Sequence, residues 1–139
     1  MTIAVRDLCP LLQVFDMPTS LRFYRDVLGF AEVEKSGVGD DVDWVWLRHG
    51  DAHLMLNTAY ESDTRPVSPD AARIAAHSDV GIFMSCEDLD GAYAYLVSKG
   101  VKAEPPKIAP YGMKQLYVTD PDGYGLCFQW PVPSGNAPG

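Results

Sequence analysis

Cysteine, histidine and cationic charge are all scarce in this chain. Its 139 residues hold three cysteines, three histidines and 11 Lys and Arg against 19 Asp and Glu. Cys9, Cys86 and Cys127 are odd in number, and no CxxC or Cys/His pair has zinc-site spacing. That argues against a disulfide framework or a zinc module and for reduced thiols in a cytoplasmic protein. A formal charge of −8 repels phosphate backbones, so nucleic acid is not an expected partner. Long apolar runs are missing too. Nothing approaches a bilayer span, and the opening MTIAVRDLCP has no signal-peptide core, so no membrane partner is expected. What remains is a globular composition, 47% hydrophobic and 22% charged, long enough for one domain with its own core.

The most informative stretch is Leu116–Trp130, LYVTDPDGYGLCFQW. It reads as a hairpin turning at Asp120-Pro121-Asp122-Gly123, where Pro presets a dihedral, Asp ties back to the backbone and Gly takes positive φ. Alternation places Leu126, Phe128 and Trp130 on one face and Cys127 and Gln129 on the other.

An offset of 72 residues (Cys9 to Gly81) recurs along the chain, carrying Asp16 to Asp88, Met55 to Cys127 and Asn57 to Gln129. In the first copy, Leu8–Phe15 is a predicted strand with Leu8 among its inward residues. Asp16 caps a helix to about Leu28 that tolerates Pro18 in its first turn and ends at Gly29. Strands follow at Phe30–Lys35, Val42–Arg48 and Ala52–Thr58. The second copy has strands at Val80–Ser85 and Val101–Glu104, then the hairpin. Its helix is Leu89–Lys99, with Leu89, Ala92, Leu96 and Val97 inward. The expected organisation is one α+β domain of two βαβββ repeats forming a curved mixed sheet, with helices on the outer face. Its parts are a first unit at 1–60, a linker at 61–77 with a helical turn near Pro69–Ala75, a second unit at 78–131 and a flexible tail at 132–139.

The segment DMPTSLRFYRDVLGF, the TDPDGYG turn and the duplicated layout together resemble the vicinal-oxygen-chelate superfamily, over about residues 6 to 131. That superfamily includes glyoxalase I, extradiol dioxygenases and fosfomycin- and bleomycin-resistance proteins. The resemblance implies a divalent metal held by His, Gln or Glu from the first and last strands of each unit. The matching positions here are Cys9, Met55, Gly81 and Cys127. Gly81 has no ligand atom and a thioether does not suit a hard ion, so no metal and no cofactor is expected. A thiolate site for a soft metal, built from Cys9, Cys127 and His53, is the alternative.

Strand parity sends a mixed aromatic and amide set to the face away from the helices. Expected ligand-binding residues are Gln13, Trp44, Trp46, Arg48, His53, Met55, Asn57, Phe83, Gln115, Tyr117 and Gln129, with Tyr111 reaching in from the Pro105–Gly112 loop. Aromatic planes with a few orienting amides are the make-up of a small-molecule site. His49, in a turn, reads as a surface residue. Three functions stay open. The first is metal-independent sequestration of an aromatic or antibiotic-like molecule, which the resemblance to bleomycin-resistance proteins implies in a homodimer. The second is an enzyme using His53, Tyr117 or a thiol, or an atypical metal. The third is a dimeric interaction module.

Overall fold

The computed structural model describes residues 2–133, so the expected tail lies, from residue 134 onward, outside the described residues. The chain forms two compact units, Met1–Pro69 and Asp70–Gly139. Each holds a four-stranded mixed sheet of an α+β module.

In the first unit β1 is Leu11–Val14, α1 Met17–Leu21, β2 Ala31–Lys35, β3 Trp44–His49 and β4 Ala52–Thr58, in sheet order β1-β4-β3-β2. β1 runs parallel to β4, and the other pairs are antiparallel. Asp16 caps α1 by accepting from the Thr19 amide at 3.3 Å, with Pro in the first turn where no intrahelical partner is needed. The helix then widens into a π-helical stretch, Arg22–Val27. There the Leu28 amide donates to the Phe23 carbonyl five residues back, at 2.9 Å. The wider turn narrows the angle between successive side chains, and the neighbours Phe23 and Tyr24 are both buried. Gly29, at φ 89°, ends it. Leu12, Val14, Val45, Leu47, Leu54 and Leu56 from the sheet and Met17, Leu21 and Tyr24 from the helix are buried. Complete burial of one such side chain contributes about 1.5–3 kcal/mol.

Arg65 fastens the end of this unit back onto it. Its guanidinium pairs with Asp16 and with Asp41, each at 2.9 Å. Arg25 similarly ties the π-helical stretch to Glu32 of β2 and to Asp40, both at 2.8 Å. The partners hold its proton more firmly than usual. Such half-exposed pairs are worth about 1 kcal/mol or less each.

In the second unit α2 is Ala71–Ala76, β5 Gly81–Ser85, α3 Leu89–Ser98, β6 Lys107–Ile108, β7 Met113–Thr119 and β8 Gly125–Pro131, in sheet order β5-β8-β7-β6. The pairing repeats the first unit: β5 parallel to β8, with antiparallel β8-β7-β6. Asp88 caps α3 by accepting from the Gly91 amide, and Leu89 and Leu96 are its buried residues. Gly100, at φ 80°, ends this helix as Gly29 ends the first.

Four expectations are corrected. The first strand begins at Leu11, not Leu8, which is 83% exposed; Pro10 has no amide proton to pair and enters the ladder only through its carbonyl, which accepts from Met55. No strand forms at 101–104; the short edge strand comes after Pro105 and Pro106, at Lys107–Ile108, since neither proline can donate to a ladder. Val97 is 49% exposed rather than inward. Trp130, near the end of β8, is 41% exposed and adds little to the apolar face.

The TDPDGYG turn serves as a clip for α2. Asp120 is buried and its carboxylate accepts from the amides of Asp122 and Tyr124 at 2.8 and 2.9 Å. His77, just beyond α2, stacks on Tyr124 with ring centroids 4.0 Å apart and donates from Nδ1 to the Asp122 carbonyl. A Cβ at Gly123 would stand 2.5 Å from the backbone oxygen of Ile74, and φ there is +88°. Gly123→Ala therefore carries both a backbone penalty and a collision, whereas Gly39→Ala, at φ +83° with nothing within 4 Å, carries the first alone. Denaturant unfolding should show a loss of about 3 kcal/mol at Gly123 against about 1 kcal/mol at Gly39. Equal losses would mean that α2 does not seat on the turn.

Candidate functional site

In each unit one face of the sheet is buried and the other keeps the chemically varied side chains. On the first unit's face, register sets Leu11 beside Met55 and Met55 beside Trp46, and likewise Gln13, Asn57 and Trp44 in the next row. Asn57 Nδ2 donates to Gln13 Oε1 at 3.3 Å and to the Thr58 carbonyl at 3.2 Å. Trp44, Trp46, His53, Met55 and Asn57 are half-buried, while Leu11, Gln13 and Arg48 are exposed. Arg48 turns back on its own hairpin, donating from Nε to the Gly50 carbonyl at 2.9 Å. His49 is exposed and stands edge-on to Phe30.

Trp46 Nε1 donates to His53 Nδ1 at 3.1 Å. Indole nitrogen is a donor only, so His53 accepts there and carries its proton on Nε2. The ring thus offers an N–H outward, and its lone pair is already engaged. Of the two roles its position allows, ligand anchor and general base, that suits the first better.

On the second unit's face the rows are Phe83, Cys127 and Tyr117, then Ser85, Gln129 and Gln115. Phe83 and Tyr117 are 55% and 57% exposed, while Cys127 between them is 1% exposed. The two rings meet edge to face with centroids 6.5 Å apart. Phe83 leans over Gly81: a Cβ built on that glycine would stand 3.3 Å from Phe83 Cε1. Gln115 is buried, donates from Nε2 to Gln129 Oε1 at 2.9 Å and accepts from the Tyr117 hydroxyl at 3.2 Å. The Tyr117 ring is open to solvent, yet its hydroxyl end is crowded. Desolvation pushes its pKa up, and Cys127 and Tyr111 add to the rise. Tyr111, 68% exposed, thus lies against Tyr117 from the loop before β7.

The metal positions fail a chemical test. A metal takes thiolate, not thiol. Burial pushes the Cys9 thiol up, and burial does the same at Cys127, where hydrogen bonding works the other way. Met55 offers a thioether, and at Gly81 the space belongs to an aromatic ring. Among the described residues no group of three or more His, Cys, Asp and Glu is placed to hold a metal ion. The residues present do not fit the hard, oxygen-binding ion that the resemblance implies.

Strand parity puts Leu11 on this face as well, and the register bears that out by setting it beside Met55 in the row of Trp46. The contact of Tyr111 with Tyr117 was foreseen only as a reach inward from a loop; that its end point is another hydroxyl carried no sequence signal.

A family model described as the Glyoxalase/Bleomycin resistance protein/Dioxygenase superfamily matches residues 7–128. The uncharacterized protein YaeR of Escherichia coli is 32% identical over 120 residues, spanning 80% of this chain and 84% of that one. Among solved structures, SMU.1112c matches with a TM-score of 0.72 and 22% identity, over 92% of this chain and 100% of that one. TnmS3, an antibiotic binding protein from Streptomyces sp. CB03234, matches with a TM-score of 0.69 and 22% identity, over 94% of this chain and 100% of that one. These structural likenesses establish the fold. No helix among the described residues is long and apolar enough to cross a membrane.

Two outcomes follow from the geometry. Long-range nitrogen–proton NMR correlations of neutral His53 should show the Nε2–H tautomer, and Trp46→Phe should release it to a mixture; a dominant Nδ1–H form in the wild type would contradict the Trp46 bond. The second concerns pH. A thiol whose pKa is raised in the folded state contributes stability that is full below its unfolded pKa and is lost as pH rises through the folded value. Unfolding free energy should therefore fall as pH rises above the ordinary thiol range, and Cys127→Ala should make that fall shallower. An unchanged slope would mean that Cys127 ionises alike in both states.

Proposed function

This chain belongs to the Glyoxalase/Bleomycin resistance protein/Dioxygenase superfamily, and from that premise we propose that it is a metal-independent binder of a small aromatic, antibiotic-like molecule. The observation that carries this reading is the ring of Phe83 lying over Gly81. Where the superfamily's resemblance calls for a metal ligand, this chain has removed the side chain, and an aromatic ring covers the spot. Beside it Tyr117 adds a second exposed ring over a buried thiol. Two aromatic rings left in water at such exposure are a platform on which a planar molecule gains contact area and stacking, the latter about 0.5–1.5 kcal/mol per pair.

The antibiotic-binding description of TnmS3, a protein of the same fold, supports this choice over a catalytic one. So does His53, whose free edge is a donor rather than a base. A cytoplasmic setting accords with three free cysteines. A homodimer accords with the bleomycin-resistance resemblance and is read by sedimentation.

Calorimetric titration with a panel of planar aromatic compounds tests the proposal. At least one should bind saturably, with the same affinity in the presence of a strong chelator. Phe83→Ala should weaken it about tenfold, the equivalent of a lost stacking contact. Loss of binding on chelation, or indifference to Phe83→Ala, would overturn the reading.

A further inference from the structure

The hydrogen-bond chain on the second unit's face has a direction, and the direction selects a ligand chemistry. The Tyr117 hydroxyl donates to Gln115 Oε1, and Gln115 Nε2 donates to Gln129 Oε1. Each link uses one donor and one acceptor, so the series must end on whatever its last member has left. That member is Gln129, whose carbonyl oxygen is occupied. Its amide nitrogen, with two N–H groups, has no partner among the described residues. Gln115 is buried and held at both ends, so the Gln129 amide plane is fixed, with its donors presented.

Among the described residues of these two rows and the β6 position beside them, the one charged group is paired. Lys107 stands beside Gln115 across the β6–β7 pair, and its ammonium is matched by Glu104 at 3.3 Å. The remaining neighbours in the two rows are Ser85, Phe83, Cys127 and Tyr117.

Resting on the aromatic-binding reading above, we infer that the ligand is a neutral planar aromatic bearing a carbonyl-type hydrogen-bond acceptor, and that Gln129 is the residue that reads this acceptor. The ring lies against Phe83 and Tyr117 in the row of Cys127. Gln129 is two residues further along β8, about 7 Å from the ring's row, so an acceptor within hydrogen-bond distance of it sits about 4 Å from the centre of the stacked ring. An aryl ketone or a fused-ring quinone has that reach; a bare hydrocarbon leaves the fixed donors unpaired, and an anion finds no unpaired cation among the described residues of these rows.

A matched series of probes tests this: acetylnaphthalene, its near-isosteric hydrocarbon ethylnaphthalene and the anion naphthoate, titrated by NMR against the full chain. The ketone should bind about five- to tenfold more tightly than the hydrocarbon and than the anion. In Gln129→Leu that preference should vanish through loss of ketone affinity, with hydrocarbon affinity retained. Gln129→Glu, similar in size but without N–H donors, should lose it as well, while amide spectra report that both variants remain folded. Equal binding of ketone and hydrocarbon by the wild type, or a preference that survives both variants, would overturn the acceptor assignment and leave the aromatic face standing. Naphthoate binding as tightly as the ketone would overturn the neutral-ligand assignment. Binding of none of the three would overturn the aromatic-face reading together with the inference built on it.

Discussion

Everything distinctive about this protein depends on the period-two alternation of its strands. In each sheet, one parity is aliphatic and packs away from water: Leu54 and Leu56 in β4, Leu116 and Val118 in β7, Leu126 in β8. Burial of that set drives the fold, and because the pleat sends every second side chain the other way, it also determines what the opposite face displays. A register slip of one residue would exchange the two faces. The opposite face is thus the geometric complement of the core, and substitutions on it are freer to vary chemistry than those beneath it.

That freedom explains how a fold associated with metal sites can present none of the usual ligands. Cys9, Met55, Gly81 and Cys127 supply two thiols whose burial favours the protonated form, a thioether and an unsubstituted carbon. The polar groups on these two faces satisfy one another. Gln115 with Gln129, Asn57 with Gln13 and His53 with Trp46 are the pairs. Buried or half-buried polar groups carry a desolvation cost unless paired, so the Gln115–Gln129 and His53–Trp46 couplings contribute to stability. The arrangement also has a sense. In the Gln115–Gln129 and His53–Trp46 pairs the acceptor is consumed, and donors are left at the margin.

The hairpin turn that draws the eye in the sequence belongs to another part of the argument. Asp120, Gly123 and Tyr124 hold α2 and His77 in place rather than shaping chemistry. Its strong signal marks a backbone requirement: an Asp to bond two amides and a Gly where no Cβ has room. Strong patterning of this kind reports fold, and weaker patterning of amides and aromatics on alternate positions reports function.

The linear chain was sufficient for the α+β class, the duplicated units, the cap at Asp16, the stops at Gly29 and Gly100 and the division of residues between faces. All of these rest on local backbone preference or on periodicity, which neighbours in sequence express without help. It misplaced the first strand around Pro10 and the edge strand around Pro105 and Pro106, because whether a proline interrupts a ladder depends on which side its missing donor faces. Only the folded arrangement decided that the Trp46 proton goes to His53, that Phe83 covers Gly81, and that Tyr117, Gln115 and Gln129 form a single directed chain. Those are cross-strand and loop-to-strand contacts, set by register and by rotamers that pack against one another. Residues distant along the polymer carry no mark of such a partnership until the sheet aligns them.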